Sequence, residues 1–166
     1  QPNSGSAILQ PVLAWHPGAT SWCVSCWYSK DGHQYFEGNR VLVDPGDSIE
    51  GRIVYLRNNG SAFTYRMEFT GERFTSTTMT VDMPFAMNML MVCFEPYAND
   101  YRQLPPDPLV KMHNISVSLL RYSKNYPVVT NIDWYFWNNG IVTPSGINGK
   151  IVSNLNLSGE IDFYFQ

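Results

Sequence analysis

Two aromatic segments carry the side chains best suited to holding a flat ligand: SWCVSCWYS at 21–29, and the run Trp134, Tyr135, Phe136, Trp137. Side chains alternate along an extended chain, so Trp22, Val24, Cys26 and Tyr28 share one face while Cys23, Ser25 and Trp27 share the other. Trp134 and Phe136 oppose Tyr135 and Trp137 in the same way. A strand with large rings on both faces has more ring surface than a core needs. Most of these rings are expected to fill the interior, and at least one to face a ligand. Rings in a concave site stack on planar molecules or on sugar faces, with Asn, Gln and Tyr fixing orientation. Met87, Met89 and Met91 are spaced by two and are expected on one strand face, opposite Asn88 and Leu90. Thioethers mould to irregular apolar partners, which suits an ordinary core as well as a cavity for an aromatic molecule.

Thiol, imidazole and carboxylate chemistry has less support. Cys23, Cys26 and Cys93 form an odd set, so at least one thiol is free unless chains pair. On an extended strand Cys23 and Cys26 lie three residues of ~3.3 Å apart, beyond the ~7 Å reach of a disulfide, and Cys93 with one of them is geometrically freer. Zinc needs about four ligands, and His16, His33 and His113 add no supporting spacing, so no metal is expected. The same histidines have no Ser or Cys partner at a recognisable spacing, which leaves a hydrolase triad unsupported. The acidic stretch DPGDSIE (44–50) reads as a structural turn rather than a calcium loop.

The elements that must position these residues are strands. RIVYL, FTYRMEF, MTVDM, NISVSLLRY (114–122), IDWYFW and EIDFYF alternate with period two and are rich in β-branched and aromatic residues. Turn signals separate them: HPG (16–18), KDG (30–32), DPGD (44–47), NNG (58–60), NNG (138–140), PSG (144–146) and NG (148–149). No window sustains a helical period. One long loop is expected over 97–111, where Pro105, Pro106 and Pro108 remove backbone donors. Many short strands at such spacing imply a sandwich or barrel.

The order of several short motifs resembles the glutamic peptidases (eqolisins). AILQ (7–10), the aromatic 21–29 stretch, VDPGDSIEGRIVYL (43–56) with its PGDSI turn, YRMEFTG (65–71) and NMLMVCFE (88–95) follow one another as in that family, over roughly the first two thirds of the chain. The resemblance implies a two-sheet sandwich in which a glutamine and a glutamate hold a water against a peptide carbonyl. Gln10 matches the glutamine. Asn88, or a neighbouring Met89 or Met91, falls where the glutamate would stand, and none of these can act as a general base. Loss of such a proton-transfer residue predicts near-silence, not a slower enzyme. Glu95 is the only acid between Met83 and Pro96, and is the base an alternative register would use.

Charged residues make up 15% of the chain against an average of about 25%, while aromatics reach 14%. A net charge of −3 and the absence of a basic run argue against nucleic acid. No apolar stretch approaches the ~20 residues of a membrane helix, and no signal-peptide core is present, so a processed, mature product is expected. Sequons at Asn59, Asn114 and Asn156 are compatible with secretion. The sequence thus predicts one antiparallel, all-β, two-sheet sandwich over residues 1–166, of eqolisin or concanavalin A-like type. The function expected is that of a secreted, non-enzymatic binding protein, a pseudoenzyme without cofactor. Its partner would be a small molecule such as a planar pigment, or a short saccharide. The ligand-binding set is Gln10, Trp22, Trp27, Tyr28, Asn88 and Met91, with Trp134 and Trp137. The alternatives are an acid endopeptidase working through Gln10 and Glu95, and a lectin.

Overall fold

The computed structural model describes residues 7–16, 20–87, 90–92, 109–118 and 147–165. These residues are mostly strand, every pairing is antiparallel, and one short 3-10 turn, Glu72–Thr77, is the helical content among them. The all-β antiparallel class read from the sequence is the class the chain adopts. The described strands form three sheets, and the chain divides into two compact units, Gln1–Cys93 and Phe94–Gln166.

In the first unit β1 (Ile8–His16) pairs β2 (Ser21–Ser29), which also pairs the short β3 (Phe36–Glu37) and β4 (Val41–Val43). A second sheet runs β5 (Gly51–Asn58), β6 (Phe63–Phe69), β7 (Met79–Met83). One side of each sheet feeds a common core. Leu9, Val24 and Cys26 from the first sheet meet Tyr65, Met67, Phe69, Val81 and Met83 from the second, with Phe74 of the 3-10 turn. The parity is the one that alternation demands: Tyr65, Met67 and Phe69 point in, while Thr64, Arg66 and Glu68 stand on the other side. The sheets approach closely at Gly51, where an added Cβ would lie 2.9 Å from the Pro11 Cβ and 3.3 Å from the Phe69 ring.

The turn signals at 58–60 and 44–47 act as read. Asn59 closes the β5–β6 hairpin through its backbone to Ala62, with Gly60 at φ 89° supplying the left-handed step. The acidic 44–50 stretch is a turn clamped by Arg73, which reaches Asp44 and Asp47 at 2.8 and 2.7 Å and the Leu42 carbonyl at 2.9 Å.

The second unit holds β8 (Leu109–Ile115), β10 (Gly159–Phe165) and β9 (Ile147–Ser153), in that spatial order. Three expectations need correction here and nearby. Of the strand expected over 114–122, Asn114 and Ile115 end a strand that begins upstream at Leu109 and takes the end of the expected 97–111 loop, while 119–122 lie outside the described residues. Residues 116–118 form no strand, because the Asn156 side chain occupies the Val117 backbone: Val117 N–H donates to Asn156 Oδ1 (2.8 Å), and Asn156 Nδ2 donates to the Val117 carbonyl (3.0 Å). Asn148-Gly149, read as a turn, lies inside β9 with Gly149 opposite Phe163. Of the methionine stripe, Met87 and Met91 lie in segments that carry no strand, 84–87 and 90–92, with Met87 packed on the core and Met91 exposed, and Met89 lies outside the described residues. The expected strand 132–137 and the 138–140 turn lie outside the described residues.

Candidate ligand-binding face

Residues directly opposite each other in an antiparallel pair project to the same face. On the first sheet Gln10 opposes Trp27, Val12 opposes Ser25 and Ala14 opposes Cys23, and Trp27 in turn opposes Glu37 of β3. Leu9, Leu13, Val24, Cys26 and Tyr28 pack on the core, so Gln10, Ser25, Trp27 and Glu37 take the face turned away from it. Neighbouring strands stand ~4.8 Å apart, which sets Gln10 and Glu37 on either side of Trp27 in one row across β1, β2 and β3.

A hydrogen-bond relay fixes this row. The Trp27 indole N–H donates to Ser25 Oγ at 2.8 Å, and the Ser25 hydroxyl donates to Glu37 Oε1 at 3.0 Å. Arg40 closes the relay as a fork, its Nε on Glu37 Oε1 and its Nη2 on Oε2 at 2.8 Å. Such bidentate pairs hold geometry as well as charge. Donating to the Glu37 carboxylate pushes the Arg40 guanidinium above its ordinary value. The Arg40 side chain is half-exposed, whereas that of Glu37 is 21% exposed, so the carboxylate sits in the sheet and the cation at its rim.

The chemistry open to this face is limited in a definite way. Ser25 gives its hydrogen to Glu37, whose carboxylate is also held by Arg40. Burial pushes the Cys23 thiol up, with the nearby Arg40 pulling it down and Glu37 adding to the rise; it is not the thiolate a nucleophile requires. Cys26, on the core face, is pushed up to about 11 by burial, against an opposing hydrogen bond from Thr77 and a smaller upward push from Glu68. Both cysteines are unbridged, as their opposite faces require. What remains is a tryptophan of set orientation between an amide and a charge-matched ion pair.

Of the residues singled out from sequence, Gln10 and Trp27 come together here, both half-buried. Trp22 and Tyr28 do not join them. Trp22 packs against Trp15 on the core side (centroids 5.3 Å, planes at 59°), and Tyr28 stacks on Phe36 (4.9 Å, 16°) while touching the core. Met91 is exposed outside any strand. Asn88, Glu95, Trp134 and Trp137 lie outside the described residues. Ser25, Glu37 and Arg40 were not anticipated. Their signals in the sequence are weak: a Ser two positions from Trp27 on one strand face, and a Glu-x-x-Arg spacing next to a two-residue strand.

Among the described residues no group of three or more His, Cys, Asp or Glu side chains is placed to hold a metal ion, and no helix is long and apolar enough to cross a membrane. Comparison with known protein families, with curated proteins and with solved structures finds no match to this chain.

Proposed function

We propose that the chain is a non-enzymatic binding protein whose small ligand, a planar aromatic metabolite or a short saccharide, lies over Trp27 between Gln10 and Glu37. One observation carries this reading: an indole tied down by its own N–H stands in a cross-strand row between an amide and an ion-paired carboxylate, away from the core. A ring held in one orientation before binding loses little entropy when a ligand stacks on it. The flanking polar groups then orient that ligand. Hydrolysis fits the same face less well, because the acid that register brings into the row, across Trp27 from Gln10, is engaged by Arg40 and by Ser25, and a peptidase base must cycle its proton. The likeness to glutamic peptidases enters the proposal as an architecture whose glutamine is kept and whose water-activating acid is not. Secretion belongs to the proposal too, supported by the Asn59 sequon at an exposed hairpin tip.

Native mass spectrometry of the protein as purified from its source tests the reading. The expected result is a non-covalent excess mass that disappears on denaturation and is missing from a Trp27→Ala variant prepared in the same way. An excess mass that survives Trp27→Ala would place the ligand elsewhere, and a mass equal to the covalent chain would contradict a resident ligand.

A further inference from the structure

Resting on the secretion part of that reading, we infer that Asn59 is the acceptor of an N-linked oligosaccharide delivered from a lipid-borne glycosyl pyrophosphate, and that Asn156, in the same sequence motif, is reserved for the fold.

The Asn-x-Ser motif occurs at Asn59-Gly60-Ser61, Asn114-Ile115-Ser116 and Asn156-Leu157-Ser158, and the three have different surroundings. At the β5–β6 hairpin tip the Asn59 side chain closes a turn of its own. Its Oδ1 accepts the Ser61 N–H (3.1 Å), the Ser61 hydroxyl (3.0 Å) and the Ala62 N–H (2.8 Å). Backbone N–H groups only donate, so the atom they meet is the amide oxygen. Nδ2 therefore points the other way, and it has no hydrogen-bond partner among the described residues. Gly60 holds φ 89°, and a Cβ added there would meet no heavy atom within 4 Å beyond its chain neighbours. Asn59, Gly60 and Ser61 are all exposed. Nδ2 is thus offered at an open apex, beside the hydroxyl that the motif requires.

The transfer needs a glycosyltransferase and the activated oligosaccharide. A bond forms from Nδ2 to the anomeric carbon, the bond from that carbon to the phosphate oxygen breaks, and the lipid pyrophosphate leaves. Nδ2 gives one proton to a base of the transferase. The three donors at Oδ1 stabilise the charge that gathers on the amide oxygen as that proton departs. All of these contacts lie within residues 59–62, so the turn can form before the sheets do.

Asn156 is engaged in the opposite manner. Its Oδ1 and Nδ2 both face the backbone of Val117, 39 residues away, at 2.8 and 3.0 Å. Pairing with the N–H and C=O of one residue uses the Nδ2 hydrogen on the same edge as Oδ1. A secondary amide keeps its substituent trans to the chain, so an attached sugar would occupy that edge and displace the Val117 carbonyl. A glycan at Asn156 and the clamp exclude each other. Asn114 is exposed, but its motif runs along a strand, with Ile115 paired to Gly159, and no hydrogen bond joins its side chain to Ser116 among the described residues.

The test secretes the full chain from a eukaryotic host behind a cleavable signal peptide, and compares it with protein taken from its source. Peptide N-glycanase in heavy-oxygen water turns each glycan-bearing Asn into a labelled Asp, which peptide mapping locates. An incubation without the enzyme subtracts spontaneous loss of the Asn59 amide next to Gly60. The label is expected at Asn59 and absent from Asn156 in both preparations. Gly60→Val keeps the motif but resists the left-handed φ, and should lower the ratio of glycosylated to bare chain at Asn59 by about fivefold or more. Ser158→Ala removes the Asn156 motif while leaving the clamp, and should leave the glycan mass unchanged. A label at Asn156 in folded protein would overturn its reservation for the fold. A bare Asn59 beside a labelled Asn114 in the host would overturn the choice of acceptor, and equal occupancy in Gly60→Val would overturn the role of the turn. A label at Asn59 in the host with a bare chain from the source would contradict secretion while keeping Asn59 as the acceptor the fold presents.

Discussion

Cys26 has none of its surface exposed and keeps its proton to about pH 11, against 9.0 for an ordinary thiol. The pH dependence follows with a definite sign. Below pH 9 the thiol is protonated in both folded and unfolded chains, and the full stability is present. Between about 9 and 11 the unfolded chain ionises while the folded chain holds its proton, so stability falls as pH rises, by roughly 1–3 kcal/mol. Cys23, whose thiol burial also raises, adds to the same alkaline limb. Urea unfolding at pH 8 and pH 10.5 should show a smaller drop for Cys26→Ala than for the wild type; equal drops would place the limb on other groups. At this scale the sequence is legible by parity only. Alternation along 21–29 separates Trp22, Val24, Cys26 and Tyr28 from Cys23, Ser25 and Trp27. Which set is core is not decided by alternation, because both carry a cysteine and a tryptophan. The outcome is set by what each face meets: Val24 and Cys26 join the core with Met67 and Met83, while Ser25 meets the Glu37 carboxylate and Trp27 bonds to Ser25.

Among the elements, the hairpins announce themselves and the short or irregular pieces do not. Asn58-Asn59-Gly60 predicts its turn because glycine supplies the φ the hairpin needs. β3 has two residues, too few for a period, so the placement of Glu37 beside Trp27 comes from register alone. β8 starts one residue after Pro108 and stops at Ile115, one residue beyond Asn114 at φ 55°; the alternation of Ile115 and Val117 continues past it, but the Val117 backbone is already paired with a side chain. Asn156→Ala should therefore destabilise the protein by about 1–3 kcal/mol, since it leaves a backbone donor and acceptor without their partner. Hydrogen exchange at the Val117 amide should quicken in the same variant; unchanged exchange would remove the clamp. In the first unit the close approach of the sheets at Gly51 makes a second element-scale prediction. Gly51→Ala places a methyl 2.9 Å from the Pro11 Cβ, which cannot swing aside, and should cost about 1–3 kcal/mol in thermal or urea unfolding. A neutral result would mean that β1 and β5 can separate without loss.

For the whole molecule, an all-β chain of low charge and high aromatic content was legible from composition and alternation, because those follow from what a pleated, half-buried surface needs. The three sheets and two units were less so, since strand pairing over long separations leaves no local mark. The candidate site shows the same division. Gln10 and Trp27 could be named from the sequence, but the relay that orients the ring and balances the carboxylate depends on which strands are neighbours. The most direct test of a ligand on Trp27 is a ¹⁵N-resolved titration of the indole N–H signals with chitotriose. The Trp27 signal is predicted to shift saturably, because its N–H belongs to the ring on which the ligand would stack, while those of Trp15 and Trp22, on the opposite side of the sheet, stay in place. A Trp27 signal that does not move, or a shift confined to Trp15 and Trp22, would contradict the account.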